Sequence, residues 1–517
     1  MLNEPGEIFP NWLLEQVKTR PQSLAVVAGL ESLTFEELYG RVLALAGKLQ
    51  ASGIEKGSRV AVLLGNGLEF VETVHALMQL QAVLVPLNLR LTPAEQAWQL
   101  ADVGANFLLT DNKHSGQARE AGVGTDARLL NLAELTIMPV QAEITPPESY
   151  RASDLHTLIY SSGTTGQPKA VRLTYGNHYF NAYASYLNFP AGESDRWLAV
   201  LPLFHVGGLA ILWRGLFYGM PVVVHESFDP AAVNHAIDHE GVTVISVVTN
   251  MLARMLDQRH DKGYPASLRS VLIGGGPVPP PLLERCALAG IPVVQTYGLT
   301  ETASQAVTLA TQDALRKLGS AGKPLPGVEL KISPKSDGEP ASAGHTKSEG
   351  YKVNEGSAAS PGQAGEILLR GKNVTPGYEG RPEETARAWR GGWFHTGDIG
   401  RVDEEGYLYV LDRRNDLIIS GGENVYPAEV EAVLLSHPAV EEAGVIGQAD
   451  PQWGQVVVAF VKARSGAALT EPELLEYCRG RLARYKLPRK IIFMTEGLPR
   501  NATGKLLRRS LREILAG

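Results

Sequence analysis

The sequence predicts an α/β protein: a large N-terminal domain of αβ-layered sheets with a β-subdomain, followed by a small α+β domain. Three observations carry that expectation. Short apolar runs bounded by Gly and Pro alternate with amphipathic segments through the first three hundred or so residues. A stretch rich in Ser, Gly, Pro and Lys, without apolar periodicity, interrupts the chain at 333–364. A compact pattern of strands and helices then closes it.

Taken in order, residues 24–110 contain SRVAVLLGN, EFVETVHALMQLQ and AVLVPLN. The succession strand, helix, strand implies parallel βαβ units with right-handed crossovers. The pattern returns at VTVISVV, SVLIGGG and PVVQTYG. Between these blocks, residues 197–225 are strongly apolar but are interrupted by His205 and Arg214 and broken by Gly and Pro. A membrane span needs roughly 20 largely uninterrupted apolar residues, so this segment reads as buried core that delivers two polar side chains to a pocket. The 333–364 insert reads as a surface loop or disordered segment. After it, EILLRG and GYLYVLDRRNDLIIS read as strands of the subdomain. From about residue 416, PAEVEAVLLSHP and LTEPELLEYCRGRLARYK read as helices, and EAGVIGQ and QVVVAFVKA as strands. The join falls at Asp412–Asn415, dividing 1–412 from 413–517.

Composition narrows the function classes. Hydrophobic residues make up 44% of the 517 and charged residues 20%, the balance of a soluble globular enzyme with a large core. Cys286 and Cys478 are the only cysteines, far apart in sequence, which argues against a disulfide framework or a thiolate metal site and fits a reducing cytosol. The N-terminus carries acids early and lacks a basic-then-apolar signal pattern, so the expected location is cytoplasmic, without stable membrane insertion. The net charge of -7 is uneven: from Arg479 to Arg512 there are eleven Lys/Arg and one acid, against 37 basic and 54 acidic residues elsewhere. Such a tail raises nucleic-acid binding, but prolines and the turn-like LPRNATGK interrupt it and no aromatic platform accompanies it. A lid that faces phosphates accounts for the same charge, so the expected partners are small molecules and not nucleic acid. A homo-oligomer is left open.

The chemistry-bearing motif nearest the N-terminus is YSSGTTGQPKAV, Tyr160 to Val171, directly after the apolar LHTLIY. Gly163 and Gly166 let backbone amides approach a polyphosphate. Ser161, Ser162, Thr164 and Thr165 donate hydrogen bonds, and Lys169 adds a cation. It is not a Walker A loop. Four further segments follow: QTYGLTET (Gln295–Thr302), HTGDIG (His395–Gly400), LDRRNDLIISGGENVYPAEVE (Leu411–Glu431) and LPRNATGK (Leu498–Lys505).

In this order and spacing, the five segments resemble the adenylate-forming superfamily of acyl- and aryl-CoA ligases, luciferases and peptide-synthetase adenylation domains. The resemblance covers the chain except the insert. It implies ATP, Mg²⁺ and CoA as cosubstrates and metal, and a mobile C-terminal lid. Glu301 is the hard oxygen ligand suited to Mg²⁺, with Thr300 a hydroxyl donor to phosphate. Tyr297 offers a flat face to adenine, and Gly276, Pro277, Thr296 and Gly298 complete the nucleotide pocket. Asp398 suits the two ribose hydroxyls, with Arg413 its companion. Lys505 is expected to enter from the lid and bridge the carboxylate and the α-phosphate. Gly421 and Gly422 would line a pantetheine tunnel, and Asn415 stands at the hinge, where many relatives carry Asp or Lys.

The acid pocket narrows the substrate. LPLFHVGGLAILWRGLFYGM, VTVISVVTNMLARML and LGSAGKPLPGVELKI, with the motifs above, look closest to the o-succinylbenzoate–CoA ligases of menaquinone or phylloquinone synthesis. Their substrate carries two carboxylates on an aromatic frame, and the second still needs a partner after the first is activated. Arg214 is the expected partner, with Thr249 beside it. His205 is expected at the reacting carboxylate, positioning it and balancing charge. Gly207 departs from the serine that relatives often carry after this histidine. The rival reading is a ligase for a fatty or other aromatic acid. Behind it stand an amino-acid adenylation domain and an inactive AMP-binding regulator.

Overall fold

A computed structural model describes residues 6–137, 144–161, 168–192, 194–260, 262–276, 278–334, 359–413, 416, 418–420, 423–450, 453–479, 481–482, 484–501 and 504–516. Two sheets build the large N-terminal body. The six-stranded sheet runs in the order Lys169–Thr174, Leu155–Ser161, Val83–Pro86, Arg59–Leu63, Phe107–Thr110, Arg128–Asn131; the first pair is antiparallel and the others parallel. The nine-stranded sheet runs Lys323–Pro324, Ser304–Thr308, Val293–Leu299, Ser270–Ile273, Val244–Val247, Trp197–Ala199, Val222–Val224, Leu24–Ala28, Glu31–Thr34. Its six central strands, from Val293–Leu299 to Leu24–Ala28, are parallel.

The largest apolar cluster joins both sheets. It packs Val60, Leu84 and Ile159 of one and Val26, Trp197 and Val224 of the other around the helices Phe35–Ala51, Leu68–Gln79, Tyr175–Asn188 and Val206–Tyr218. A second cluster covers the far face of the nine-stranded sheet with the helices Pro230–His239, Thr249–Arg259 and Pro280–Leu288. Another covers the outer face of the six-stranded sheet with Pro93–Asp102 and Ser115–Gly122. The result is helix, sheet, helix, sheet, helix, and strands buried on both faces explain why their sequences read as apolar runs. The expected strands and helix at 59–86 all form, as Arg59–Leu63, Leu68–Gln79 and Val83–Pro86.

Residues 197–225 form the strand Trp197–Ala199, the helix Val206–Tyr218 and the strand Val222–Val224, all inside the body. Among the described residues, no helix is long and apolar enough to cross a membrane. The subdomain is a five-stranded antiparallel sheet of Val328–Pro334, Gly365–Gly371, Trp389–Arg390, Trp393–Val402 and Leu408–Arg413. The C-terminal unit has the long antiparallel pair Val440–Asp450 and Gly454–Ala463, flanked by Ile418–Ser420, Glu423–Val425 and Lys490–Phe493. Its helices are Pro427–Leu435, Glu471–Arg479 and Arg508–Ala516. The second expected helix stops at Arg479, short of Lys486; Arg484–Lys486 is a separate 3-10 turn. Of the insert expected at 333–364, residues 335–358 lie outside the described residues, while Ser333 and Pro334 are buried and end the strand Val328–Pro334 rather than standing in a surface loop.

Candidate active site

The parallel strands of the nine-stranded sheet end side by side, and their carboxyl ends deliver most of the expected residues. In open α/β sheets ligands bind in the crevice outside such ends. The chain leaves Trp197–Ala199 and reaches His205, the N-cap of the helix Val206–Tyr218. It leaves Val244–Val247 and starts the helix Thr249–Arg259, with Thr249 its first residue. It leaves Ser270–Ile273 and passes exposed Gly276, which has open space where a side chain would stand. Val293–Leu299 carries Thr296, Tyr297 and Gly298, and the 3-10 turn Thr300–Thr302 carries Thr300 and Glu301.

The turn after this strand is tightly determined. Gly298 lies so close to the returning chain that a β-carbon on it would stand 1.6 Å from Ser304 O. Ala303 and Ser304 sit at φ 53° and 114°, where L-residues carry a strain cost of order 1–3 kcal/mol each. Asn181 braces the turn by donating from Nδ2 to Thr302 O at 3.1 Å and Gln305 O at 2.7 Å. The Thr174–Asn177 capping box starts the helix that carries Asn181. Thr296 Oγ1 donates to Val307 O at 3.0 Å, fixing the strand against its antiparallel neighbour. Glu301 is held by two groups of one segment: Thr375 N donates to Glu301 O at 2.7 Å, and Tyr378 OH donates to Glu301 Oε1 at 3.0 Å.

Two distant motifs expected at the nucleoside meet in space. Tyr297 OH donates to Asp398 Oδ2 at 2.7 Å across 101 residues of sequence. Asp398 is 4% exposed and lies opposite Arg413 in the register of Trp393–Val402 and Leu408–Arg413. The Arg413 side chain lies outside the described residues. The turn before Asp398 is set by Glu366, whose Oε1 accepts from Gly397 N at 3.2 Å and whose Oε2 lies 3.2 Å from His395 Nδ1. Arg390 Nη2 approaches that same His395 Nδ1 at 2.8 Å.

At the expected phosphate end, Ser161 and Lys169 face each other in the register of an antiparallel pair. Lys169 Nζ stands 5.1 Å from the Tyr378 ring centroid. Ser162, Gly163, Thr164, Thr165, Gly166 and Pro277 lie outside the described residues, as do Asn415, Gly421 and Gly422. Lys505 sits in a closed turn: its N–H donates to Asn501 Oδ1 and its carbonyl accepts from Asn501 N, both at 2.8 Å. The turn lies against the N-terminal body, since a β-carbon on Gly504 would stand 3.4 Å from Val248 Cγ2, next to Thr249.

Two expectations for the acid end change. His205 is half-buried, and its Nε2 atom is out of reach of solvent with no hydrogen-bond partner among the described residues. Burial, aided by the Arg90 charge, lowers its pKa to about 4. A ring so shifted is neutral at pH 7, so what it can offer a ligand is a hydrogen bond and not the expected charge balance. Arg214 is 1% exposed, and its guanidinium does not open onto the crevice as the sequence suggested. Nη2 donates to Asn181 Oδ1 at 2.8 Å and Ser304 Oγ at 3.4 Å, and the group stacks 5.4 Å from the Trp197 ring centroid. The helix explains this: every residue from Gly208 to Leu216 is buried, so Arg214 has no open face to project from. Gly207 is not sterically required, because a β-carbon there meets only Leu201 Cδ1 at 3.6 Å.

Sequence reasoning did not find Tyr378, Thr375, Asn181, Glu366 or Ser304. Tyr378 meets Glu301 across 77 residues, and NVTPGYEG has no spacing that announces that partner. A group of three or more His, Cys, Asp or Glu able to hold a metal is absent among the described residues. A single carboxylate still suits Mg²⁺, which is commonly held by one or two carboxylates and substrate phosphates.

Residues 13–379 match the AMP-binding enzyme family, and residues 429–505 match the AMP-binding enzyme C-terminal domain. A 2-succinylbenzoate–CoA ligase of Geobacillus kaustophilus is 48% identical, with 98% of each chain covered. The o-succinylbenzoate CoA synthetase of Bacillus subtilis, solved with the acyl-adenylate intermediate OSB-AMP, is 43% identical with a TM-score of 0.88 over 98% of both chains. The same synthetase with ATP and magnesium ion gives 0.87, covering 98% of this chain and all of that one.

Proposed function

The chain belongs to the AMP-binding enzymes, and from that premise we propose that it is an AMP-forming acid–CoA ligase acting on 2-succinylbenzoate. The observation that carries the adenylate-forming reading is the Tyr297–Asp398 hydrogen bond, which joins an aromatic face and a carboxylate from two motifs into one nucleoside seat. The choice of acid rests on full-length likeness to ligases named for that acid.

In the first half-reaction a carboxylate oxygen of the acid attacks the α-phosphorus of ATP. The bond to the bridging oxygen breaks, pyrophosphate leaves, and a mixed anhydride forms. Negative charge gathers between two anions, so fixed cations dominate. Lys505 bridges the carboxylate and the α-phosphate, Lys169 and the 161–166 loop hold the outer phosphates, and Thr300 donates to the phosphate. Asp398 accepts from the ribose hydroxyls, Arg413 beside it can only donate, and Gly276, Pro277, Thr296 and Gly298 close around the base. Glu301 would hold Mg²⁺, which supplies further charge neutralisation on the polyphosphate. His205, as a neutral ring, donates its N–H to the reacting carboxylate.

The second carboxylate is read through Arg214. A buried guanidinium with neutral acceptors is costly by itself, and an anion on the crevice side of Ser304 offsets that cost through its field and through Ser304, with Thr249 at the rim. In the second half-reaction the CoA thiol, losing its proton, attacks the activated carbonyl and AMP leaves. We assign the pantetheine path to Gly421 and Gly422, the hinge to Asn415, and the two moving units to 1–412 and 413–517. ATP and CoA as substrates place the reaction in the cytoplasm on this reading.

The test is ATP-dependent pyrophosphate release against 2-succinylbenzoate, benzoates and fatty acids with CoA present. Selective turnover of 2-succinylbenzoate is expected. Turnover of another acid alone would keep the ligase and discard this substrate.

A further inference from the structure

The segment Thr375–Glu379 touches both halves of the phosphate site. Its Gly377 carbonyl accepts from Arg172 N at 3.0 Å, and its Glu379 N donates to Ala170 O at 2.9 Å. It is thus paired to the strand that returns from the phosphate loop, and Val171 and Tyr378 form a bridge. Glu379 anchors the segment by ion pairs to Arg59 at 2.6 Å and to Arg172. On its other side, Thr375 N holds the Glu301 carbonyl. Gly377 is forced by this route: it sits at φ 147°, and a β-carbon there would stand 2.4 Å from Thr385 Cγ2.

Between these anchors one side chain reaches both reacting ends. The Tyr378 hydroxyl donates to Glu301 Oε1 at 3.0 Å, while its ring faces Lys169 Nζ at 5.1 Å from the centroid. A donor on Oε1 orients the carboxylate and directs Oε2 elsewhere. A ring beneath the ammonium restricts a side chain that otherwise has much rotamer freedom.

We propose that Tyr378 is a positioning residue that fixes the Glu301 carboxylate and the Lys169 ammonium relative to each other, so that metal and polyphosphate meet a preset pair of charges. This rests on the reading that Glu301 takes Mg²⁺ beside ATP. Hydrogen bonds to charged groups contribute about 1.5–3 kcal/mol, roughly a 10- to 150-fold factor in binding.

The experiment is calorimetric ATP binding to the whole enzyme, with Mg²⁺ and with EDTA, for the wild type, Tyr378→Phe, Tyr378→Leu, Glu301→Gln and the Tyr378→Phe/Glu301→Gln pair. Tyr378→Phe keeps the ring and is expected to lose about tenfold or more of the Mg²⁺-dependent gain, while binding in EDTA stays within twofold. Tyr378→Leu is expected to weaken binding in EDTA as well, because Lys169 loses its ring. The double variant is expected to bind like Glu301→Gln alone. Equal losses in Mg²⁺ and EDTA for Tyr378→Phe, or additive losses in the pair, would overturn the proposal and leave the site reading intact. A wild type whose ATP binding ignores Mg²⁺, or equals that of Glu301→Gln, would overturn both.

Discussion

Three histidines buried together between the two sheets predict sharp acid lability. His75, His156 and His178 are each at most 2% exposed and surround Trp213, with ring centroids 5.8, 4.6 and 5.6 Å from it. His156 also stacks on Tyr175 at 4.1 Å, and His178 Nε2 meets Thr157 Oγ1 at 3.0 Å. Burial lowers the pKa of His75 and of His178 to about 3 and carries His156 well below its ordinary value, with the neighbouring histidine charges adding to the shift there. For a base depressed in this way, the unfolded chain binds the extra protons. Stability is therefore complete above the unfolded pKa near 6.5 and falls as pH drops from there toward 3. At pH 5 each histidine withdraws about 2 kcal/mol, at 1.36 kcal/mol per unit. Three together withdraw roughly 6 kcal/mol, comparable with a whole domain's 5–15. Calorimetric melting between pH 8 and 4.5 should show the midpoint falling steeply below pH 6. His156→Phe, which keeps a stacking ring, should reduce that slope by about a third. A flat midpoint from pH 7 to 5, or an unchanged slope in His156→Phe, would refute the reasoning.

Other predictions concern catalysis. Lys505→Ala should cut adenylation by a hundredfold or more, in the range seen when a preorganised charge-stabilising group is lost, with a melting midpoint within about 2 °C of wild type; unchanged pyrophosphate exchange would remove the role. Tyr297→Phe should raise KM for ATP about tenfold through the lost bond to Asp398, and KM for the acid should stay constant. Because His205 is neutral, kcat/KM for the acid should show no inflection near pH 6.5 assignable to it, and His205→Gln should keep more activity than His205→Ala. Arg214→Met should raise KM for 2-succinylbenzoate at least tenfold and that for ATP less than twofold. Equal rises would make Arg214 a brace of the 302–305 turn.

Local patterns carried much of the architecture. The apolar runs at 244–247, 270–273 and 293–299 are buried parallel strands, because burial on both faces leaves no polar alternation to hide them. The same signal puts Thr249 just past the strand Val244–Val247 and Tyr297 near the end of Val293–Leu299. It could not place Arg214, because the helix Val206–Tyr218 is buried on nearly all sides and has no polar face to mark where a guanidinium points. Nor could it find Tyr378 or Asn181, whose partners lie 77 and more than 100 residues away. Long-range contacts of single polar side chains leave no period in the sequence.

The close approach at Gly298 has a consequence for how this enzyme can be altered. With 1.6 Å between a would-be β-carbon and Ser304 O, and two non-glycine residues at positive φ beside it, the nucleotide side tolerates almost no change. Gly207 at the acid side has ordinary clearance. Substrate preference is thus free to drift, or to be redesigned by saturating 207 and 249, while the activating half of the machine stays fixed.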